Sequence, residues 1–170
     1  MVARAPKGDG DYAAATEGEM AAASGRSSRL DQPNLIEVRR YASKQWVREL
    51  IEGSAEAIPL GNDSVDTVVT TWTLCSIPDA GRALREMHRV LRPTGRLLFV
   101  EHGRAPEPNV VWWQDHLTPA WKRIGGGCHL NRAIQMLIED AGFQIDRMET
   151  GYMRGPRPLT FTYEGSARPR

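Results

Sequence analysis

The chain has 170 residues, a length typical of one domain that is large enough to bury a core. Lys and Arg number 22 against 21 Asp and Glu, and the net charge of +1 argues against nucleic acid as a partner. The two cysteines, Cys75 and Cys128, do not make a disulfide framework and are interpreted as reduced thiols. The sequence contains neither a membrane-spanning apolar run nor a signal peptide, so we expect a cytoplasmic protein with no transmembrane segment.

The N-terminal part differs in composition from the rest of the chain. Residues 1–29 are rich in Ala, Gly, Ser and charged residues and contain almost no large apolar side chains. Such a segment cannot offset the entropy of ordering, so we predict that residues 1–29 are disordered and that one domain covers residues 30–165. A helix capped by Asp31 should open this domain, and residues 47–52 favour a short strand.

The middle of the chain alternates between strand and helix patterns. Residues 65–71 are a β-branched run that predicts a buried strand. Asp79 is a good N-cap for an amphipathic helix, which should end at the Arg92-Pro93-Thr94-Gly95 turn. The apolar run in residues 96–101 predicts a strand covered on both faces by helices.

The C-terminal part predicts two helices and a hairpin. A helix over residues 110–124 should be kinked or split by Pro119, and the glycines at 125–127 should break the chain. Another helix is expected over residues 132–141, ended by Gly142. Residues 143–149 and 159–163 then pair as antiparallel strands. The whole pattern predicts an α/β fold with a C-terminal antiparallel hairpin.

Several of these segments, taken in order, resemble one enzyme family. They are G-S-A-E-A-I-P-L (53–60), D-T-V-V (66–69), W-T-L-C-S-I-P-D (72–79), A-L-R-E-M-H-R-V-L-R-P-T-G (83–95) and L-L-F-V-E-H-G (97–103). Together they resemble class I S-adenosylmethionine-dependent methyltransferases of the ubiquinone-biosynthesis type (methyltransferase type 11). The later segment at 113–132 is similar to a subgroup that includes thiol and small-lipid-like methyltransferases.

The resemblance implies a Rossmann-like sheet of seven strands, mostly parallel, with an antiparallel seventh strand. The family's first strand carries a glycine-rich turn that approaches the methionine part of the cofactor. In this chain only Gly8-Asp9-Gly10 lies in the corresponding place, with no strand before it. We therefore interpret the domain as truncated at its N-terminal side, without the glycine-rich motif.

By resemblance, four residues are candidates for binding S-adenosylmethionine. Asp31 aligns with the acid that binds the ribose hydroxyls, although a helix N-cap explains it equally well. Ser54 and Ala55 align with the residues that contact the adenine, and the alternative is an ordinary polar turn. Trp72 follows the strand 65–71, where an indole can cover a purine or a sulfonium; packing under the next helix is its alternative.

Three residues are candidates for the substrate side. His102 ends a second strand at the same sheet edge and is the candidate catalytic residue, as a general base or as an orienting group; a plain polar loop residue is the alternative. Trp113 and His116 lie on a segment that the family uses as a substrate lid, unless its tryptophans pack into the core. Cys128-His129 has the form of half a metal site without a second pair, so we expect no metal.

The sequence therefore predicts transfer of a methyl group from S-adenosylmethionine to a small, apolar acceptor. One alternative is a catalytically inactive, truncated methyltransferase fold that acts as a binding or structural partner. Loss of the first strand would leave two exposed sheet edges, through which a homo-oligomer could form. A fragment of a nicotinamide-dependent oxidoreductase is a third interpretation, which needs the same missing glycine-rich turn.

Overall fold

The computed structural model of this protein describes residues 2–4, 51 and 53–170, with the first three through their backbone. The elements are, in chain order, β1 (Val2–Arg4), β2 (Val65–Thr71), α1 (Ala80–Val90), β3 (Leu91–His102), α2 (Pro108–Ile124), α3 (Ile134–Asp140), β4 (Phe143–Tyr152), a 3-10 turn (Arg157–Leu159) and β5 (Phe161–Pro169). The predicted helix after Asp31, the strand at 47–52 and the Gly8-Asp9-Gly10 segment involve residues outside this description.

The five described strands form one sheet in the order β1-β2-β3-β5-β4. β2 and β3 are parallel, with Val68 beside Leu97 and Thr70 beside Phe99. β4 and β5 form an antiparallel hairpin, and β5 also pairs antiparallel with β3. The predicted α/β sheet with a C-terminal antiparallel hairpin is therefore confirmed, and its parallel pair creates a common carboxyl edge for β2 and β3.

β1 occupies a sheet edge that the sequence analysis expected to be unpaired. Val2–Arg4 runs antiparallel to β2, and Val2 lies opposite Val69. This differs from the expectation of disorder through residues 1–29, because edge pairing requires only backbone N–H and C=O groups and no large side chains. The rest of that segment lies outside the described residues.

The main core lies between the sheet and the helices α1 and α3. The Asp79 side chain caps α1 by accepting a hydrogen bond of 2.8 Å from the Arg82 N–H. The helix buries one face, as its apolar spacing predicts: Ala80, Ala83, Leu84, Met87 and Val90. Leu97 and Phe99 of β3 pack into the same core. Leu98 between them is 39% exposed, so the prediction that helices cover both faces of this strand is wrong there.

Helix α2 runs without a break from Pro108 to Ile124 although Pro119 lies inside it. The expected split is therefore absent. Buried Gln114 accepts a hydrogen bond of 2.9 Å from the Ala105 N–H and donates one of 3.0 Å to the Gly103 carbonyl. These tertiary bonds fix the helix on the chain that leaves β3, so the loss of one helical bond at the proline is tolerated.

We expect Gly165→Ala to destabilise the fold by about 1–3 kcal/mol or more, because the added methyl group overpacks the sheet. A Cβ atom at Gly165 in β5 would lie 2.7 Å from Cζ of Phe99 and would also overlap the Arg147 carbonyl. Gly151→Ala in β4 is the matched control, since a Cβ atom there meets nothing within 4 Å. Urea unfolding of both variants measures the difference, and equal stabilities would contradict the described packing of β4 on β5.

Candidate functional site

The carboxyl ends of β2 and β3 bring Trp72 and His102 together. The two rings are nearly parallel, at an interplanar angle of 11°, with their centroids 6.2 Å apart. Trp72 has a φ of 50°, a left-handed conformation that is rare for a bulky residue, and its N–H donates to the Val100 carbonyl at 2.9 Å. Backbone strain of this kind costs about 1–3 kcal/mol and is concentrated at functional sites. Ligands of α/β proteins bind at this sheet edge.

Buried Glu101 holds the turn that follows Trp72. Its carboxyl group accepts hydrogen bonds from the Thr70 hydroxyl at 2.7 Å and from the N–H groups of Thr73 and Leu74 at 3.0 Å each. Burial raises the pKa of Glu101 to about 8, while the bonds from Thr70, Thr73 and Leu74 oppose the rise. Glu101 is therefore a positioning residue. No role of Glu101 was predicted from the sequence, although an acidic residue that ends an apolar strand is a recognisable signal.

A second turn places Cys128 beside this edge. Gly126 and Gly127 have φ values of 62° and 86°, which glycine adopts without strain. The His129 N–H then donates to the Cys75 carbonyl at 2.8 Å. The chain thereby returns to the turn after β2 and aligns Cys128 with Cys75, although 52 residues separate the two cysteines in the sequence.

Cys75, His102 and Cys128 form a compact cluster, in which one side-chain atom of each lies within 4.8 Å of the others. The Cys128 sulfur lies 3.7 Å from Nδ1 of His102. A hydrogen bond with Cys128 and burial raise the pKa of Cys75, and the bond with Cys75 lowers the pKa of Cys128. His102 is 2% exposed, and its Nε2 atom has no hydrogen-bond partner among the described residues.

The turn that contains Ser54 and Ala55 is tied to the start of α1. The Ser54 hydroxyl accepts a hydrogen bond of 3.1 Å from the Glu56 N–H, and Glu56 accepts one of 2.8 Å from the Asp79 N–H. This bond therefore holds the turn beside the start of α1, the element that follows β2 in the chain. Asp31, the fourth residue of the predicted cofactor set, lies outside the described residues.

Trp113 and His116 belong to a separate aromatic group on α2. Trp113 is 52% exposed and meets the Trp112 ring edge to face at 4.8 Å. The His116 ring lies 3.9 Å from that of Trp112. The alternative in which these tryptophans form core is therefore wrong for Trp112 and Trp113. Farther along α2, Trp121 is partly buried and a hydrogen bond from it helps to lower the pKa of Cys128, so this end of the helix borders the cluster.

Comparison with known proteins agrees with the family and with the fold that were predicted from the sequence. A family model described as "Methyltransferase domain" matches residues 9–99, more than half of the chain. A solved S-adenosylmethionine-dependent methyltransferase from Methanosarcina mazei superimposes with a TM-score of 0.59 at 18% identity and covers 82% of this chain and 79% of its own. At that identity the likeness concerns the fold, and it confirms the predicted Rossmann-like class.

Two curated relatives show what similar chains act on. Thiol S-methyltransferase TMT1B of Homo sapiens is 39% identical over 118 residues, which are 68% of this chain and 46% of the relative. Malonyl-[acyl-carrier protein] O-methyltransferase of Methylococcus capsulatus is 32% identical over 114 residues, 64% of this chain and 39% of the relative. The chain thus spans less than half the length of these curated relatives. No helix in the described ranges is both long and apolar enough to cross a membrane.

Proposed function

Because this chain belongs to the methyltransferase-domain family, we propose that it transfers a methyl group from S-adenosylmethionine to the sulfur of a small thiol. The family predicted from the sequence is confirmed, and it decides against the oxidoreductase alternative. The observation that carries the proposal is the strained Trp72 stacked on buried His102 at the carboxyl edge of the sheet. The name of the human relative, a thiol S-methyltransferase, supports sulfur as the acceptor atom.

The described residues fit the adenine side of the cofactor. The Ser54 hydroxyl keeps a lone pair for an adenine amino group, and the Ala55 N–H donates to no group in residues 51 and 53–170. Trp72 would cover the purine or the sulfonium, an attraction of roughly 0.5–2 kcal/mol for a cation over an aromatic face. The cofactor supplies an electrophilic methyl group, and we assign its methionine side to none of these residues.

The acceptor side requires a deprotonated sulfur in line with the methyl group. Such a displacement depends on proximity and on a free nucleophile more than on an elaborate set of acids and bases. Free thiols ionise within about two pH units of neutrality, so a single basic group is sufficient. His102, buried beside Trp72, is the residue that we assign to hold or remove the proton.

The apolar part of the acceptor is assigned to α2. Trp113 and His116 present an exposed aromatic surface with Trp112, which suits an apolar molecule. Trp121 connects this helix to the cluster at the end of β3. A small aromatic thiol is therefore the first acceptor to test.

Thiophenol and phenol form a matched pair of acceptors that differ only in the nucleophilic atom. We expect the purified chain with S-adenosylmethionine to yield methylated thiophenol and S-adenosylhomocysteine by mass spectrometry, and no product from phenol. Binding of S-adenosylmethionine without methylation of any thiol would favour the inactive binding-protein alternative. The absence of calorimetric heat with millimolar S-adenosylmethionine would overturn the proposal.

Trp72→Ala tests the cofactor side separately. Loss of the aromatic face should weaken S-adenosylmethionine binding by about 2- to 30-fold, the equivalent of roughly 0.5–2 kcal/mol. Trp112→Ala is the matched control, because this half-exposed tryptophan lies on α2 and contacts Trp113 and His116 instead. Calorimetry on both variants measures their affinity for S-adenosylmethionine, and equal affinities would show that Trp72 does not contact the cofactor.

A further inference from the structure

We propose that Cys75, His102 and Cys128 bind one zinc ion, and that the acceptor thiolate takes its fourth coordination position. The second part rests on the proposed thiol methylation, whereas the first does not. Two thiolates and one imidazole with an open position are the ligand set of a known class of catalytic zinc sites.

The distances suit a tetrahedral ion. With ordinary zinc–sulfur and zinc–nitrogen bonds of roughly 2.3 and 2.0 Å, ligand atoms lie about 3.5–3.8 Å from one another. The Cys128 sulfur and Nδ1 of His102 are 3.7 Å apart, and all three ligand atoms lie within 4.8 Å. Small side-chain adjustments would therefore complete the site without a change of backbone.

Burial and charge also favour an ion at this place. His102 is 2% exposed, and its Nδ1 atom faces the Cys128 sulfur at 3.7 Å, so this nitrogen is directed at the cluster within a buried environment. Two thiolates neutralise a divalent cation, so the loaded cluster carries no net charge in its buried position. Cys128 is only partly buried, which leaves a way in for the ion and for a fourth ligand.

Among the described residues, the charged groups that act on Cys128 of the cluster are Arg132 and Glu101. The Arg132 guanidinium donates to the Leu74 and Pro78 carbonyls and lies close enough to contribute to the lowered pKa of Cys128. Glu101 is engaged by Thr70, Thr73 and Leu74. Because other groups already hold the side chains of Arg132 and Glu101, we assign the zinc ligands to Cys75, His102 and Cys128.

Zinc in this position gives a balanced route to the reactive thiolate. The acceptor thiol binds zinc through sulfur and releases its proton to solvent. The zinc-bound sulfur then donates an electron pair to the methyl carbon, a new S–C bond forms, and the bond from the methyl group to the sulfonium sulfur breaks. With zinc bound, His102 is a ligand, and the removal of the acceptor proton that is assigned to it above is then achieved by the metal and the solvent.

The test uses the reduced, metal-free full chain and does not depend on activity. We expect binding of one Zn²⁺ in competition with a chromogenic chelator, and a thiolate-to-metal charge-transfer band with Co²⁺. Cys128→Ser should weaken Zn²⁺ binding by more than the roughly 10- to 100-fold that is typical of changes to outer-shell partners. His88→Gln is the matched control and should bind as the wild type does, because the His88 ring packs against Phe143 and lies outside the cluster.

Wild-type-like Zn²⁺ binding by Cys128→Ser, or no binding by the wild type, would overturn the zinc site. Cys75→Ser provides a second ligand variant, and circular dichroism confirms folding of both. If thiophenol does not change the Co²⁺ spectrum, the acceptor thiolate does not take the fourth coordination position, although the zinc site itself would stand. Equal methylation after chelator treatment would also overturn that role, while the proposed thiol methylation would survive.

Discussion

We expect His102→Gln to lower kcat/KM for thiophenol methylation by about 10²–10⁴-fold, the range typical for loss of a general base. His102 is buried at the end of β3, stacked on Trp72 and within 3.7 Å of Cys128. The variant removes the group that we assign to the acceptor sulfur, either directly or through zinc. Steady-state kinetics at saturating S-adenosylmethionine measure the loss, and calorimetry should show nearly unchanged affinity for the cofactor.

His88→Gln is the matched control for this result. His88 lies on α1 with its ring edge against Phe143, at a centroid distance of 5.2 Å, and contacts the core instead of the Trp72–His102 pair. It should keep wild-type kinetics. A similar loss in both variants would indicate a structural effect, and wild-type activity of His102→Gln would remove His102 from the catalytic site. Kinetics of the wild type after chelator treatment then separate a proton acceptor from a metal ligand, because only the ligand acts through zinc.

The free energy of unfolding of the wild type should fall relative to Glu101→Gln as the pH rises from 5 to 8. Burial raises the pKa of Glu101 from an ordinary 4.5 to about 8, so in this window the folded state keeps a proton that the unfolded state has lost. The contribution of Glu101 to stability is therefore fully present below pH 4.5 and decreases through the window. At about 1.4 kcal/mol per pKa unit, the relative loss is about 3–4 kcal/mol.

Urea unfolding at several pH values, followed by circular dichroism, measures this difference. Glu101→Gln has a stability cost of its own at every pH, because the amide cannot accept from all of the Thr70, Thr73 and Leu74 donors. The prediction therefore concerns the pH slope, not the absolute value. Glu149→Gln on the exposed face of β4 is the control and should run parallel to the wild type. Parallel curves for Glu101→Gln would show that the buried carboxyl group ionises normally.

Local patterns were sufficient for the elements that carry strong signals. The β-branched run predicted β2 at the residues observed, and Asp79 with its apolar spacing predicted α1. Patterns failed where distant contacts decided. The hydrogen bonds of Gln114 keep α2 whole past Pro119, and backbone pairing orders Val2–Arg4 without large side chains.

The candidate site was likewise predicted from the sequence in some parts and not in others. Trp72 and His102 were predicted at one sheet edge, because parallel strands end at the same edge and the family resemblance marks those positions. The sequence contained no signal that their rings stack, nor that Trp113 and His116 lie on an exposed face of α2. The roles of Ser54, Ala55, Trp113 and His116 remain predictions, and Asp31 lies outside the described residues.

The sequence alone determined the family, the α/β class and the C-terminal hairpin, because these follow from local periodicity and from ordered motifs within short segments. Only the tertiary structure showed which side chains lie next to Cys128. In the sequence, Cys128-His129 was half a metal site without partners; in the fold, the glycine turn at 126–127 places Cys128 against Cys75 and His102. Whether side chains can share an ion depends on the distances between them in space. His102 and Cys75 lie 26 and 53 positions before Cys128 in the sequence, and they approach it only when the sheet edge and the turn form together.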